Sequence, residues 1–143
     1  MSMRWRIYVV ILTIAVLFGG GNSLVSANHS YVLTVEQLHA GLNKAKNPAH
    51  KGFFLIDVRT PQEHSAGFIP GTDMNIDYRE IQARHKAIGA RVEDHIVVYC
   101  QSGRRSNIAA ETLADLGYKF VYNVSGSMNA WEEAGYSLEF PGH

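Results

Sequence analysis

The sequence has only one cysteine in 143 residues, and this scarcity excludes several classes of protein. A single thiol cannot form an internal disulfide framework, a zinc ribbon or finger, or a Cys-x-x-Cys redox pair. The chain also lacks an excess of charge, since 13 Lys+Arg balance 13 Asp+Glu. A balanced charge gives no general attraction for nucleic acid or for an anionic membrane surface, so we expect neither as a partner.

Repeats, low-complexity tracts and linkers are missing as well, and the 7 histidines show no metal-ligand spacing. We therefore expect no bound metal, and we assign no histidine a role in a site, since most of them are predicted to lie at the surface. What is present is a globular composition, with 46% hydrophobic and 18% charged residues. A chain of this composition can bury enough apolar surface to fold.

Residues 1–27 differ in composition from the rest of the chain. Two arginines near the N-terminus precede the apolar run Ile7–Phe18, and small residues follow as far as Ala27. This order is typical of a secretory signal peptide, and the run is shorter than the roughly 20 residues that a membrane-spanning helix needs. We expect cleavage after Ala27, no stable membrane anchor afterwards, and a periplasmic or secreted protein. An uncleaved anchor is the alternative.

Cleavage would leave residues 28–143 as a single domain, long enough to form one hydrophobic core without disulfides. Export also implies an oxidising compartment, where an unpaired cysteine is unusual. Cys100 is therefore the residue of this sequence whose presence most needs an explanation.

Apolar runs alternate with helical patterns along this domain. Continuous apolar runs are typical of parallel strands covered on both faces, and they span residues 53–58, 95–99 and 120–124. Shorter runs predict strands at residues 31–33 and 74–76, and helical spacing predicts helices over residues 35–46, 77–88, 107–116 and 128–134. Thr60 and Pro61 are expected to end the first long run. We expect an α/β fold with a mostly parallel central sheet of about five strands and helices on both faces.

Cys100 stands where a buried strand is predicted to end and a helix to begin. A short loop leads from it to Ser106, the predicted helix N-cap, and consists of Gln101, Ser102, Gly103, Arg104 and Arg105. Free N–H groups and the helix dipole at such a terminus favour an anion, and so do the two arginines. We expect these groups to hold the pKa of the Cys100 thiol below its free value of about 8.5.

A buried structural cysteine is the alternative interpretation, because free cysteine often serves as a small apolar residue. The glycine and the arginines that follow Cys100, together with the expected export, favour a reactive thiolate that holds an anionic substrate. Trp131 and Tyr136 are expected to lie in the core rather than to form a platform for that substrate.

At these residues the sequence resembles the rhodanese family of sulfurtransferases. The family pattern Cys-x-x-Gly-x-Arg-Ser is filled by Cys100, Gly103, Arg105 and Ser106. Two further stretches, within residues 57–71 and 123–135, are similar to the N-terminal and C-terminal signatures of the family. The length and the predicted signal peptide are similar to those of the small exported single-domain members.

The chain departs from the family pattern at Phe68, where the family commonly has His, and at Ser127, where it commonly has a second Gly. Both positions lie outside the cysteine loop, so we expect little effect on activity.

The resemblance implies a rhodanese-like fold and a sulfurtransferase mechanism centred on Cys100. The thiolate would take sulfur from a small anionic donor such as thiosulfate, form a persulfide, and pass the sulfur to cyanide or to a thiol, including a protein thiol. No metal or organic cofactor is implied. The segment from Gln101 to Ser106 would hold the donor, with Arg105 against the sulfur and Arg104 at the rim.

Asp57 and Arg59 lie at the end of the neighbouring predicted strand, and two interpretations stay open for them. They are expected either to brace the cysteine loop as a charge pair or to stabilise the fold at a distance from the chemistry.

Two other functions also stay open. A cysteine phosphatase or arsenate reductase of the same fold resembles rhodaneses closely, but its loop is longer than the four residues between Cys100 and Arg105. The shorter loop suits a sulfur atom better than a phosphate. The third hypothesis is a non-enzymatic module that carries sulfur to a partner protein or binds one.

Overall fold

The computed structural model describes residues 30–45 and 51–142. The predicted signal peptide and its cleavage site lie outside these residues. No helix within the two described ranges is both long and apolar enough to cross a membrane.

The described part of the chain alternates between strands and helices. The strands are β1 Tyr31–Leu33, β2 Phe54–Asp57, β3 Met74–Asn75, β4 His95–Tyr99 and β5 Phe120–Val124. The helices are α1 Val35–Lys44, α2 Pro61–Ser65, α3 Ile81–Arg84, α4 Arg104–Asp115 and α5 Ser127–Glu133, and a 3₁₀ turn over His85–Ile88 follows α3.

The strands form one 5-stranded sheet in the order β1-β5-β4-β2-β3, and every pair of neighbours is parallel. The expected α/β fold with a central parallel sheet is thereby confirmed. Val98 in the middle of β4 pairs with Ile56 on one side and with Asn123 on the other. Because the strands are parallel, their carboxyl ends share one edge of the sheet, and Cys100 follows the central strand at that edge.

Each central strand buries side chains on both faces of the sheet, and this explains the continuous apolar runs in the sequence. One core cluster joins the strands to α3 and α4 and includes Ile56, Ile81, Ile96, Val98 and Leu113. The opposite cluster joins them to α1 and α5 and includes Leu38, Leu55, Val97, Met128 and Trp131. Trp131 is 2% exposed and belongs to the core, as the sequence predicts.

Helix α4 begins earlier than the sequence predicts, and the correction matters for the site. Its N-cap is Gly103, whose φ of 99° lies in the left-handed region that glycine adopts without strain, rather than Ser106. The chain therefore turns into the helix directly after a very short loop. Ser106 lies inside the first turn and is fully buried, so its hydroxyl faces the interior instead of capping the helix.

Helix α2 is a short element that the sequence interpretation misses, because it treats Thr60 and Pro61 only as the end of a strand. Thr60 and Glu63 form a capping box, in which each side chain accepts the backbone N–H of the other residue. Pro61 stands at the first helical position and favours the helix, because its ring fixes φ near the helical value. The helix predicted over 77–88 begins only at Ile81, and it ends at Arg84, where the chain tightens into the 3₁₀ turn that reaches Ile88.

Candidate active site

The Cys100 thiol lies at the carboxyl end of β4 and is completely buried. The backbone N–H of Gly103 donates to Sγ at 3.1 Å, and the Ser106 hydroxyl oxygen lies 3.3 Å from the same atom. Burial by itself raises the pKa of Cys100, but hydrogen bonds from Ser106, Gly103 and Ser102 lower it and leave the pKa below its ordinary value. The direction agrees with the expectation from the sequence, while the main stabilising cause is hydrogen bonding rather than the two arginines.

The loop around the thiol is held closed by the start of α5. Met128 donates its backbone N–H to the Cys100 carbonyl at 3.1 Å, and Asn129 donates to the Gln101 carbonyl at 3.0 Å. A side chain at Gly103 would come within 3.4 Å of the Gly126 backbone nitrogen. The close approach and the positive φ together explain why glycine stands at position 103.

Beneath the thiol lies a buried cluster of uncharged polar side chains: Ser106, Asn123 and Ser127. The Ser106 hydroxyl lies 2.6 Å from Asn123 Oδ1, and Ser127 Oγ accepts the backbone N–H of Cys100 at 3.1 Å. Sequence reasoning assigns Ser106 to the site but gives no role to Asn123 or Ser127. The departure from the family pattern at Ser127 is the sequence signal that could have drawn attention to it.

Arg105 projects from the first turn of α4 and forms an ion pair that the sequence does not predict. Its guanidinium donates to both carboxylate oxygens of Glu63 on α2, at 2.8 Å and 2.7 Å. The Arg105 hydrogen bond lowers the pKa of Glu63 to about 2, and Glu63 in turn raises the pKa of Arg105. The negative charge that Cys100 carries as a thiolate also raises the pKa of Arg105, so the cation acts on the sulfur.

The remaining loop residues lie at the outer side of the site. Arg104 and Ser102 are exposed, and Gln101 is half-buried. The Gln101 side-chain amide donates to Asn129 Oδ1 at 2.6 Å, which adds a further hydrogen bond between the loop and α5. Of the residues predicted for the site, Ser102, Gly103 and Ser106 donate hydrogen bonds to the sulfur, whereas Gln101 bonds α5, Arg104 is exposed and Arg105 bonds Glu63.

Asp57 and Arg59 form a buried ion pair, with the Arg59 guanidinium 2.7 Å from Asp57 Oδ2. The same guanidinium donates to the Gly67 carbonyl at 2.7 Å, and His64 Nδ1 lies 2.9 Å from Asp57 Oδ2. These contacts reach the segment after α2 and not residues 100–106. The pair therefore supports the short helix that carries Glu63. His64 is half-buried against Asp57, although the sequence predicts a surface position for it.

Acidic and histidine side chains do not converge elsewhere in the described ranges. No group of three or more His, Cys, Asp or Glu residues there is placed to hold a metal ion. The hydrogen bonds to Sγ support the chemistry of a low-pKa thiol that N–H and O–H donors stabilise.

The structure defines a parallel α/β domain that carries a cysteine loop at the carboxyl end of its central strand. Residues 34–134 match the family model for the Rhodanese-like domain. Because this match covers most of the chain, the protein belongs to the Rhodanese-like domain family.

Related sequences and solved structures agree with this family assignment. The chain is 35% identical over 91 residues to the thiosulfate:glutathione sulfurtransferase of Homo sapiens, covering 55% of this chain and 78% of that protein. It is 35% identical over 71 residues to the thiosulfate sulfurtransferase PspE of Escherichia coli, covering 50% and 67%. It also resembles the crystal structure of a rhodanese-related protein from Thermoplasma volcanium, with a TM-score of 0.63, 28% identity, and coverage of 76% and 97%.

Proposed function

We propose that this protein is a sulfurtransferase that moves sulfane sulfur from thiosulfate, or a related anionic donor, to cyanide or a thiol through a Cys100 persulfide. Relatives named as sulfurtransferases at 35% identity support the general activity. The observation that carries the proposal is the convergence of the Gly103 N–H and the Ser106 hydroxyl on the buried Sγ atom.

In the first half-reaction, the Cys100 thiolate attacks the outer sulfur of thiosulfate. An S–S bond forms between Sγ and that sulfur, the bond between the outer sulfur and the sulfonate group breaks, and its electron pair leaves with sulfite. The negative charge passes to the outer sulfur of the persulfide. The loop N–H groups that stabilise the thiolate also face the growing charge on this outer sulfur.

In the second half-reaction, a nucleophile removes the stored sulfur. Cyanide attacks the outer sulfur of the persulfide, the S–S bond breaks, and the thiolate of Cys100 is regenerated with thiocyanate as product. A thiol acceptor reacts in the same way through its thiolate and leaves as a persulfide. Neither half-reaction requires a metal or an organic cofactor.

The two arginines support binding of a dianionic donor in different ways. Arg104 is exposed at the start of α4, where its charge can attract anions from solution. Arg105 is partly buried and bonded to Glu63, so its guanidinium has a defined position, and its charge interacts with the thiolate of Cys100.

The test of this function is the intact mass of the purified protein after incubation with thiosulfate. We expect an increase of one sulfur atom that cyanide reverses, with thiocyanate released in repeated turnovers. Cys100→Ser should take up no sulfur while keeping the fold, because its hydroxyl is not ionised near neutral pH. Transfer by this variant would contradict the covalent mechanism.

The same experiment separates the other two functions. Hydrolysis of a phosphate ester without sulfur uptake would identify a cysteine phosphatase. Uptake of one sulfur without turnover to cyanide or to small thiols would identify a carrier that delivers sulfur to a partner protein.

We further propose that residues 1–27 direct export and that residues 28–143 act as one rhodanese domain in the periplasm or outside the cell. The basic, apolar and small-residue order of this segment supports the proposal. Mass analysis of the protein recovered from its host should find a chain that begins after Ala27. A membrane-bound product that retains Met1 would contradict it.

A further inference from the structure

The Ser106 hydroxyl has more acceptors within reach than it has hydrogens. Its oxygen lies 2.6 Å from Asn123 Oδ1, 3.3 Å from Cys100 Sγ and 3.4 Å from Ser127 Oγ. A serine hydroxyl carries one hydrogen and can donate one full hydrogen bond at a time. Asn123 and Cys100 therefore compete for the same hydrogen.

The neighbouring hydrogen-bond donors, the Asn123 amide and the Ser127 hydroxyl, already donate to backbone carbonyls. Asn123 Nδ2 donates to the Gly103 carbonyl at 3.2 Å, which turns Oδ1 of the same amide towards Ser106. Ser127 donates its hydroxyl hydrogen to the Val124 carbonyl at 2.9 Å. Within this cluster the Ser106 hydrogen is the one that can change its acceptor by rotation of a single bond.

The ionisation state of Cys100 decides which acceptor is stronger. A neutral thiol is a weak acceptor, so the short contact to the Asn123 amide oxygen is preferred. After the thiol has released its proton to solvent, the sulfur is an anion, and hydrogen bonds to a charged acceptor are about twice as strong as neutral ones.

We propose that Ser106 is a hydroxyl switch, whose hydrogen lies on Asn123 while Cys100 is a thiol and turns to Sγ when Cys100 becomes a thiolate. Asn123 is then a positioning residue, because it acts on the sulfur only by accepting the Ser106 hydrogen bond that would otherwise go to Sγ. The thiolate form leaves the buried Asn123 oxygen without that donor, and this loss opposes ionisation. The inference goes beyond sulfur transfer, since it concerns the thiol before any donor has reacted.

Charged groups around the site could produce similar effects and must stay unchanged in a test. They are Arg104 and Arg105 on α4, Glu63 on α2, Asp77, which interacts with Arg105, and the Asp57–Arg59 pair at the end of β2. The hydrogen bonds of Ser106 and Asn123 within the described residues involve none of these side chains. Substitutions at Ser106 and Asn123 therefore leave the local charges in place.

The switch predicts opposite effects for the two residues. Ser106→Ala removes the donor and should lower the thiolate-to-thiol ratio at a given pH about tenfold. Asn123→Leu removes the competing acceptor and should raise the same ratio about threefold. If Asn123 served only to hold the loop through Gly103, its loss would loosen the N–H donor to Sγ and lower the ratio instead.

The measurement is the ultraviolet absorbance of the thiolate as a function of pH, taken for each variant as the difference from its Cys100→Ser counterpart, because the 7 tyrosines of the chain also absorb when they ionise. Asn107→Leu is the matched control, since the amide of Asn107 contacts Glu111 and not the cluster, and it should not alter the ratio. In the double variant Ser106→Ala/Asn123→Leu, the Asn123 effect should vanish. A lowered or unchanged ratio in Asn123→Leu, or an Asn123 effect that persists without Ser106, would overturn the proposal.

A second measurement covers the case in which Asn123→Leu does not fold. The side-chain amide resonances of Asn123 in the unaltered chain should titrate together with the thiol in NMR spectra. In Ser106→Ala this response should be lost, because the hydrogen that leaves the Asn123 oxygen is gone. Resonances that do not titrate in the unaltered chain, or that titrate equally in both proteins, would contradict the switch. Neither measurement depends on sulfur transfer, so failure of the switch and failure of the proposed function are distinguishable.

Discussion

Two arginine–carboxylate pairs in this protein have the same chemistry and different surroundings. Arg59 and Asp57 are neighbours in sequence and both are buried, whereas Arg105 and Glu63 lie 42 residues apart and are partly exposed. In both pairs the closest nitrogen–oxygen distance is 2.7 Å. The distance alone therefore says nothing about what each pair does.

The difference lies in what else each guanidinium contacts. Arg59 also donates to the Gly67 carbonyl, so the buried pair joins the end of β2 to the segment after α2. Arg105 interacts electrostatically with the thiolate of Cys100, and solvent reaches its side chain. A buried pair must be fully satisfied and so stabilises one structure, while a partly exposed pair near a nucleophile can respond to an incoming anion.

The largest expected effect is on stability and comes from breaking the buried pair. Asp57→Ala should lower the free energy of unfolding by about 3–5 kcal/mol, because Arg59 would be left as an uncompensated buried charge. Urea unfolding measures the loss. Asp94→Ala is the control, since its partner Arg91 is largely exposed, and it should change stability little. Equal stability of the two variants would show that burial of the Asp57–Arg59 pair makes its loss no more costly than that of an exposed pair.

The next largest effect is on catalysis and separates Arg105 from Arg104. Arg105→Ala should slow sulfur transfer from thiosulfate about tenfold to a hundredfold and raise the pKa of Cys100, because a nearby cation stabilises thiolate and donor alike. Arg104→Ala should mainly weaken donor capture, with a loss that shrinks as salt is added. Thiosulfate kinetics over a range of salt, with the thiolate titrated in each variant, test this. A raised pKa in the Arg104 variant alone would reverse the two roles.

A smaller effect on stability is expected at Ser127, and it comes from backbone strain rather than from charge. Its φ of 47° is in the left-handed region, and its hydroxyl accepts the Cys100 N–H. Ser127→Ala and Ser127→Gly both remove the hydroxyl, but only glycine relieves the strain, so the glycine variant should be the more stable by about 1 kcal/mol.

Ser125 provides the control for that comparison, because it is exposed and does not have a positive φ. There the alanine variant should be at least as stable as the glycine variant in urea unfolding. Equal stability of the two Ser127 variants would show that the left-handed backbone at this position costs nothing.

The smallest effect is the acid sensitivity of the Arg105–Glu63 pair. Since the pKa of Glu63 is lowered from 4.5 to about 2 in the folded protein, its stabilising contribution is present above pH 4.5 and is lost as the pH falls towards 2. The pair is partly exposed, so this contribution should stay below about 1 kcal/mol. Glu63→Gln should unfold with less dependence on pH in this range. An unchanged pH profile would mean that the pair adds nothing to stability.

Several features were open to prediction because their causes are local. The strands over residues 95–99 and 120–124 have the predicted bounds. A continuous apolar run by itself predicts a buried parallel strand, because the pattern is complete within the strand. The position of Cys100 at the end of the central strand follows from the same pattern. The capping box of Thr60 and Glu63 is equally local, although the proline between them, taken alone, indicates only the end of a strand.

The sequence by itself determined the α/β class, the main alternation of strands and helices, and the place of Cys100 directly after a buried strand, because these depend on periodicity and on neighbours in the chain. Only the tertiary structure decided that Glu63 binds Arg105 and that Asn123 and Ser127 lie beneath the thiol. These contacts join residues 17 to 42 positions apart, and they exist because parallel strands bring their carboxyl ends to one edge of the sheet. No local pattern encodes which side chains meet across that edge.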